Sequence, residues 1–403
     1  MKILLSAYAC EPNKGSEPSV GWHWAIELTK LGHEVWVLTR ANNAPVIKSE
    51  FQEKQQPDNL HFIYYDLPQW IRCFKRGNRG IYLYYLLWQW GAYKTAKKIH
   101  SREQLDLVHH VTFVSVRQPS LMGNLRIPFI FGPVAGGETA PWRLRFHYGL
   151  RGFLVDAIRD IANFFVKYDP MMWFTFLQSN KIHVTSEQSK RLIPSCFHPK
   201  VKVHLAIALD TQETIKPLIV HKHNCFRVLY IGRFLYWKGM GLGLQAFAKL
   251  IEQVPNAQLT MVGKGPYKER LHSLAVKLNI ADKIDWIAWM KNTELTELYQ
   301  HHDVFLFPSL HDSGGMVVLE ALAHGLPVIC FDLGGPGMIV DNSCGIKIKT
   351  KRKSENTIII NLSQALIDLY HDENLLLRLS NGAKKRVSEY SWQQIVLSIY
   401  KNG

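Results

Sequence analysis

The sequence predicts an α/β chain of two domains, each a parallel sheet covered by helices on both faces. Three observations carry this. Short β-rich runs alternate with helical patterns along nearly the whole length, the pattern written by parallel strands joined through crossover helices. The 403 residues, 47% hydrophobic and 20% charged, suffice for two full cores and contain no tract that reads as disordered. Residues 208–224, ALDTQETIKPLIVHKHN, are polar, contain Pro217 and lack periodicity, so they read as a linker.

The expected boundaries are 1–207 for the first domain, 208–225 for the linker, 226–390 for the second domain, and 391–403 for a final helix crossing back to the first. Strands are expected at 2–8, 34–40, 60–66, 106–112, 128–133, 181–186 and 201–207. In the second domain they fall at 226–232, 257–263, 284–289, 304–309 and 327–332. The opening MKILLSAYAC has a short apolar run followed at once by charged, helix-compatible sequence, so it reads as a buried strand and not a signal peptide. A flexible loop with Gly15 follows. The fourth strand ends in His109 and His110, of which strand alternation lets only one face a ligand cleft; His110 is the candidate. After the fifth strand come Gly136, Gly137 and Glu138, a turn that glycine alone would explain equally well.

The formal net charge of +15 predicts anionic partners: nucleic acid, an anionic membrane or phosphorylated small molecules. From Gln69 to Arg102 there are eight Lys or Arg, no acid, and eight aromatic residues: Trp70, Phe74, Tyr82, Tyr84, Tyr85, Trp88, Trp90 and Tyr93. Cations around aromatic rings suit an anionic headgroup layer, and a core helix with basic ends is the competing reading. Residues 143–159 repeat the theme more weakly. No nucleic-acid-binding module is recognisable, so nucleic acid is not expected. The longest apolar run, 81–90, is too short to span a bilayer. Six scattered cysteines without a CxxC pair suggest neither zinc nor disulfides and fit a reducing compartment.

Three strand-to-helix junctions in the second domain suit a diphosphate. In 229–240, LYIGRFLYWKGM, Arg233 and Lys238 precede a helix N-terminus. In 261–271, MVGKGPYKERL, Gly263 and Gly265 free backbone amides, and Pro266 reads as the helix opener. In 311–325, HDSGGMVVLEALAHG, Gly314 and Gly315 do the same before a helix expected from Met316 to His324, with Asp312 and Ser313 as candidate caps. Glu320 sits among Val317, Val318, Leu319, Ala321 and Leu322, where a carboxylate without partners is costly to bury.

These junctions, in this order and spacing, resemble the donor domain of the family 4 glycosyltransferases, the group 1 glycosyl transferases, across roughly the whole second half. The resemblance implies the GT-B fold, two doubly wound Rossmann-like domains facing a central cleft, and a retaining enzyme that takes a nucleotide diphosphate sugar. It implies that Asp312 holds the transferred sugar and that Glu320 holds the ribose hydroxyls. It further implies that Arg233 and Lys238 bind the diphosphate, with Gly15, Gly263, Gly265, Trp289, Met290, Ser313, Gly314, Gly315 and Met316 around the donor. A histidine beside the reacting sugar would be His110, and His109, Gly136, Gly137 and Glu138 would lie on the acceptor side. No Asp-x-Asp is present, and no cofactor or metal is expected. Departures are Asp312 for the usual glutamate, Ser313-Gly314-Gly315 for Gly-Phe-Gly, and Ala288 for a common glycine, which leave donor sugar and base open. The implied acceptor is a lipid-linked or cell-envelope glycan, in polysaccharide or lipopolysaccharide synthesis, handled by a cytoplasmic protein peripheral to the inner membrane face. The competing readings are a GT-B epimerase or phosphorylase, for which no pyridoxal-lysine motif is seen, and a catalytically silent scaffold.

Overall fold

The computed structural model describes residues 1–72, 80–209 and 225–400. The linker expectation therefore lies mostly outside the described residues, as do Cys73, Phe74, Lys75, Arg76 and Arg79. The first sheet holds β1 (Lys2–Ala7), β2 (Glu34–Arg40), β3 (Leu60–Tyr65), β4 (Leu107–Thr112), β5 (Phe129–Val134), β6 (Lys181–Val184) and β7 (Val201–Val203). The second holds β8 (Arg227–Ile231), β9 (Gln258–Val262), β10 (Ile284–Ile287), β11 (Val304–Phe307), β12 (Val328–Phe331) and β13 (Gly345–Ile348). Their orders are β3-β2-β1-β4-β5-β6-β7 and β10-β9-β8-β11-β12-β13. Every pairing is parallel. The twelve expected strands are all present, and β13 is additional: its Lys347 interrupts the apolar run that would have marked it.

The chain divides into two compact units, one of Met1–Gly137, Asp160–Ile207 and Trp392–Gly403, the other of Glu138–Arg159 and Ala208–Ser391. In the first unit the helix Glu17–Lys30 buries Trp22, Trp24, Ala25 and Leu28 against the sheet. The helix Trp392–Tyr400 lies on it, with the Trp392 and His23 rings stacked 4.6 Å apart. In the second unit the helix Met240–Ile251 turns Leu244, Phe247 and Leu250 inward and packs on Glu355–His371, which Ser354 caps by accepting the Thr357 amide.

The aromatic segment at 69–102 divides its residues between two environments. Tyr84, Tyr85 and Trp88, expected at a lipid surface, are core residues of the helix Ile81–Glu103: Trp88 Nε1 donates to the Tyr65 carbonyl at 3.0 Å, and Tyr8 stacks edge-on against Tyr85 and Trp88. Their ring area is worth more against the sheet than in solvent. Trp70, Tyr82, Leu83, Leu87 and Trp90 remain exposed. Among the described residues no helix is long and apolar enough to cross a membrane.

Candidate active site

In the second unit the strand order reverses between β8 and β11: the chain winds outward through β9 and β10, then returns to β11 and winds the other way. Loops leaving the carboxyl ends of β8 and β11 therefore diverge, and between them open sheets of this kind bind ligands. Gly232 and Arg233 leave β8 here, and the loop bearing Asp312 leaves β11. Arg233 is exposed. Lys238 closes a short 3-10 turn, and Gly239, in a left-handed conformation at φ 70°, starts the helix Met240–Ile251. A side chain at Gly239 would run into the Pro308 carbonyl, which is why glycine stands there.

The Lys238 ammonium donates to Asp312 Oδ2 and lies 4.9 Å from the Phe307 ring centroid. The two side chains are only 16% and 18% exposed, so the pair is held largely out of water. Asp312 does not cap the following helix, as its position in the sequence suggested. Gly315 at φ 90° occupies the N-cap of Met316–Ala323, and no side chain caps that helix. Asp312 Oδ1 instead accepts the Gly314 amide at 3.3 Å, its carbonyl accepts the Gly335 amide at 2.8 Å, and Lys238 takes the other carboxylate oxygen. An ammonium is the stronger partner for a carboxylate than a helix amide. Ser313, Gly314 and Met316 are half-buried around this loop.

Gly263, at φ 156°, and Gly265 press the loop after β9 onto the loop after β8. A side chain at either would collide with the Gly232 carbonyl or the Phe234 backbone. Phe234 N–H donates to the Lys264 carbonyl at 2.9 Å, and Tyr267 N–H to the Phe234 carbonyl at 3.1 Å. These glycines therefore fix the backbone that carries Arg233. Pro266 does not open the next helix, which begins at Lys268 after a turn at Tyr267. Met290 is half-buried and Trp289 is 66% exposed, both beyond edge strand β10, two strand spacings or about 10 Å from β8.

Glu320 is half-buried, and its Oε2 accepts a 2.9 Å hydrogen bond from the Tyr299 hydroxyl. Tyr299, on the helix Asn292–Gln300, is buried and stacks on His324 with centroids 5.0 Å apart. Sequence reasoning missed Tyr299, which lies on a different helix with no motif around it.

A second missed group surrounds the fully buried Asp156. Its Oδ1 accepts from the Tyr236 hydroxyl at 3.3 Å, and its Oδ2 is 3.4 Å from Arg159 and 4.0 Å from Arg145. Arg159 Nη1 lies 2.7 Å from His311 Nε2. Burial first, then the neighbouring Arg159, Lys238 and Arg145 charges, hold the His311 imidazolium far below the usual histidine range, so the ring is neutral and accepts the arginine proton. His311 also stacks on Trp237 at 5.1 Å. The network thus anchors the residue before Asp312 and the turn before Lys238. An aspartate inside the basic, apolar run 143–159 was the available signal.

In the first unit the order reverses between β1 and β4. Gly15, after β1, is exposed, with open space where a side chain would be. His109 and His110 are both fully buried at the end of β4. His109 has two partners, Tyr400 Oη at 2.9 Å from Nδ1 and the Gly132 carbonyl at 2.6 Å from Nε2, and burial pushes its pKa down to about 3. His110 Nε2 lies 3.2 Å from the Phe113 carbonyl, while Nδ1 has no hydrogen-bond partner among the described residues. Burial lowers its pKa to about 4. Gly136, at φ 109°, gives its carbonyl to Arg117, and Gly137 is wedged against Ser189, whose hydroxyl accepts its amide at 3.1 Å. Glu138 clusters with the second unit, buried beside Gly334 and the Asp312 carbonyl.

Residues 211–386 match the family model described as glycosyl transferases group 1. An uncharacterized glycosyltransferase of Methanocaldococcus jannaschii is 31% identical over 178 residues, 43% of this chain and 44% of that protein. The match thus spans less than half of the relative. Among solved structures, sucrose-phosphate synthase from Thermosynechococcus elongatus superposes with a TM-score of 0.65 at 18% identity, covering 100% of this chain and 98% of that one. The Anabaena protein HepE, solved in complex with UDP, superposes with a TM-score of 0.63 at 15% identity, covering 100% and 99%. At these identities the likeness speaks for the fold alone. Over residues 211–386 the chain is thus similar to the glycosyl transferases group 1 family, and both of its sheets are built as in the GT-B glycosyltransferases.

Proposed function

We propose that the protein is a retaining glycosyltransferase that moves a sugar from a nucleotide diphosphate sugar to a hydroxyl acceptor. The observation that carries this reading is the convergence of Arg233, Lys238, Asp312 and the Gly314–Gly315 amides on the strand-order switch of the second sheet, inside the family match. Arg233 and Lys238 would neutralise the charge that builds on the departing diphosphate, so no metal is required for that step. Lys238 is already aligned by Asp312, and the diphosphate would share its protons. Asp312 would accept hydrogen bonds from hydroxyls of the transferred sugar. Glu320, oriented by Tyr299, would accept those of the ribose.

Departure on the face the acceptor attacks gives retention without a covalent intermediate. His110, neutral above about pH 4, would carry a hydrogen bond rather than a charge in its own unit. The basic composition and the exposed aromatic residues around Trp70 and Trp90 support a lipid-linked or cell-envelope glycan as acceptor, met at the inner membrane face by a peripheral protein. The test is calorimetric titration of nucleoside diphosphates and nucleotide sugars, with chelator present, on wild type and Glu320→Ala. Chelator-insensitive binding that the variant loses is expected. No binding of any donor would overturn the reading in favour of a catalytically silent scaffold.

A further inference from the structure

The helix Gly149–Phe165 is amphipathic in the inverted sense. Leu150, Leu154, Ile158, Ile161 and Phe165 recur at spacings of three and four and form one stripe about 24 Å long. That stripe faces solvent: the five side chains are 77%, 51%, 66%, 57% and 58% exposed. Apart from the exposed Arg151, the polar residues of the same helix face the protein. Asp156 is fully buried in its arginine network, and Asn163 is buried and accepts from Arg117 Nη1 at 2.6 Å. Gly152 lets the helix seat closely, since a side chain there would press on Tyr148 and Tyr236. An ordinary surface helix buries its apolar stripe and solvates its polar one. Here the Arg117–Asn163 hydrogen bond and the charge network around Asp156 hold the opposite arrangement in place, so the exposed stripe is built for an apolar cover.

We infer that this stripe lies on the surface of an anionic lipid bilayer, its apolar side chains in the interfacial region and the helix parallel to the membrane. Charge selects lipid over a protein partner. Between residues 142 and 178 every exposed charged residue is basic: Arg143, Arg151 and Lys167. Exposed aromatic rings of Trp142, Phe146, Phe164 and Tyr168 accompany the stripe, with Arg143 held 5.5 Å from the Trp142 ring, a composition suited to the headgroup boundary. A second outward stripe, Leu83, Leu87 and Trp90, with Lys94 5.5 Å from the Trp90 ring, repeats the chemistry on the helix Ile81–Glu103. This surface deepens the membrane-side part of the proposed function and is independent of its chemistry, because vesicle binding and nucleotide binding are read separately.

The test is co-sedimentation of the full chain with phosphatidylcholine vesicles and with vesicles that also contain phosphatidylglycerol, at low and physiological salt. Binding to the anionic vesicles, weakened by salt, is expected. Leu154→Glu/Ile158→Glu/Ile161→Glu should reduce partitioning by roughly tenfold or more while nucleoside diphosphate affinity is unchanged. Arg143→Glu/Arg151→Glu/Lys167→Glu should weaken binding and remove its salt dependence. Failure of wild type to sediment with either vesicle, or undiminished binding by the stripe variant, overturns the inference. So does light scattering that shows a dimer which the stripe variant dissociates, for then a second copy of the chain covers the stripe.

Discussion

Replacing Asp312 by asparagine should tighten nucleoside diphosphate binding while leaving nucleotide sugar binding unchanged to about fivefold weaker. The side chain keeps its shape and can still accept the Gly314 amide, but Lys238 loses its anionic partner. With both groups more than four-fifths buried, unit charges about 4 Å apart interact by about 4 kcal/mol at an effective dielectric of 20. Desolvation of the pair offsets much of this, leaving a net coupling of about 1–2 kcal/mol. An ammonium no longer shared with a carboxylate gives about 1 kcal/mol back to a diphosphate, close to fivefold tighter binding. The transferred sugar loses a charged acceptor for its hydroxyls, a loss of about 1–2 kcal/mol that the diphosphate alone never feels. Titration calorimetry of both ligands on wild type, Asp312→Asn and Lys238→Ala reads this directly. Weakening of both ligands by the same factor in Asp312→Asn would refute the division of labour between Lys238 and Asp312.

Three further outcomes are expected. Tyr299→Phe leaves Glu320 short of one hydrogen bond and should weaken nucleoside diphosphate binding about 5- to 10-fold, with diphosphate itself unaffected, by competition titration. Asp156→Ala leaves Arg145 and Arg159 without their carboxylate and should cost about 3 kcal/mol, a fall of roughly 6–12 °C in the unfolding temperature by scanning calorimetry. His110 binds its proton less well in the fold, with a pKa lowered from 6.5 to about 4. The unfolded chain takes up that proton first as pH falls, so this residue's contribution is intact above about pH 7 and declines through pH 6.5 to 4, by about 3 kcal/mol. The urea-unfolding difference between wild type and His110→Asn isolates it from the raised Glu17 pKa, which acts with the opposite sign. A difference that stays flat over this window would contradict it.

The twelve strands were legible because each is a short apolar run bounded by Gly, Pro or charge. β13 was not, since Lys347 breaks its run in a four-residue edge strand whose two middle residues are only half-buried. The glycine loops and Asp312 were legible as a motif, but the partner of each was not. Sequence adjacency suggested a helix cap for Asp312, whereas Lys238, 74 positions away, is nearer in space and carries charge. Tyr299 and Asp156 act through contacts that no local spacing encodes. The aromatic segment misled for a related reason: composition shows that rings and cations are present, and only packing shows that Tyr85 and Trp88 turn inward while Trp90 turns out.

The helix Trp392–Tyr400 belongs to the first unit and supplies Tyr400, whose hydroxyl meets His109 and whose ring lies beside Trp24. Synthesis from the N-terminus therefore delivers all seven strands of that sheet long before the piece that covers them, with nearly the whole second unit translated in between. Until that helix emerges from the ribosome, the first unit waits with an apolar face uncovered around Trp24 and His109. A chain cut just after Ser391 loses little of its length but leaves that wait without an end, and so offers chaperones and proteases a surface that the helix Trp392–Tyr400 otherwise hides.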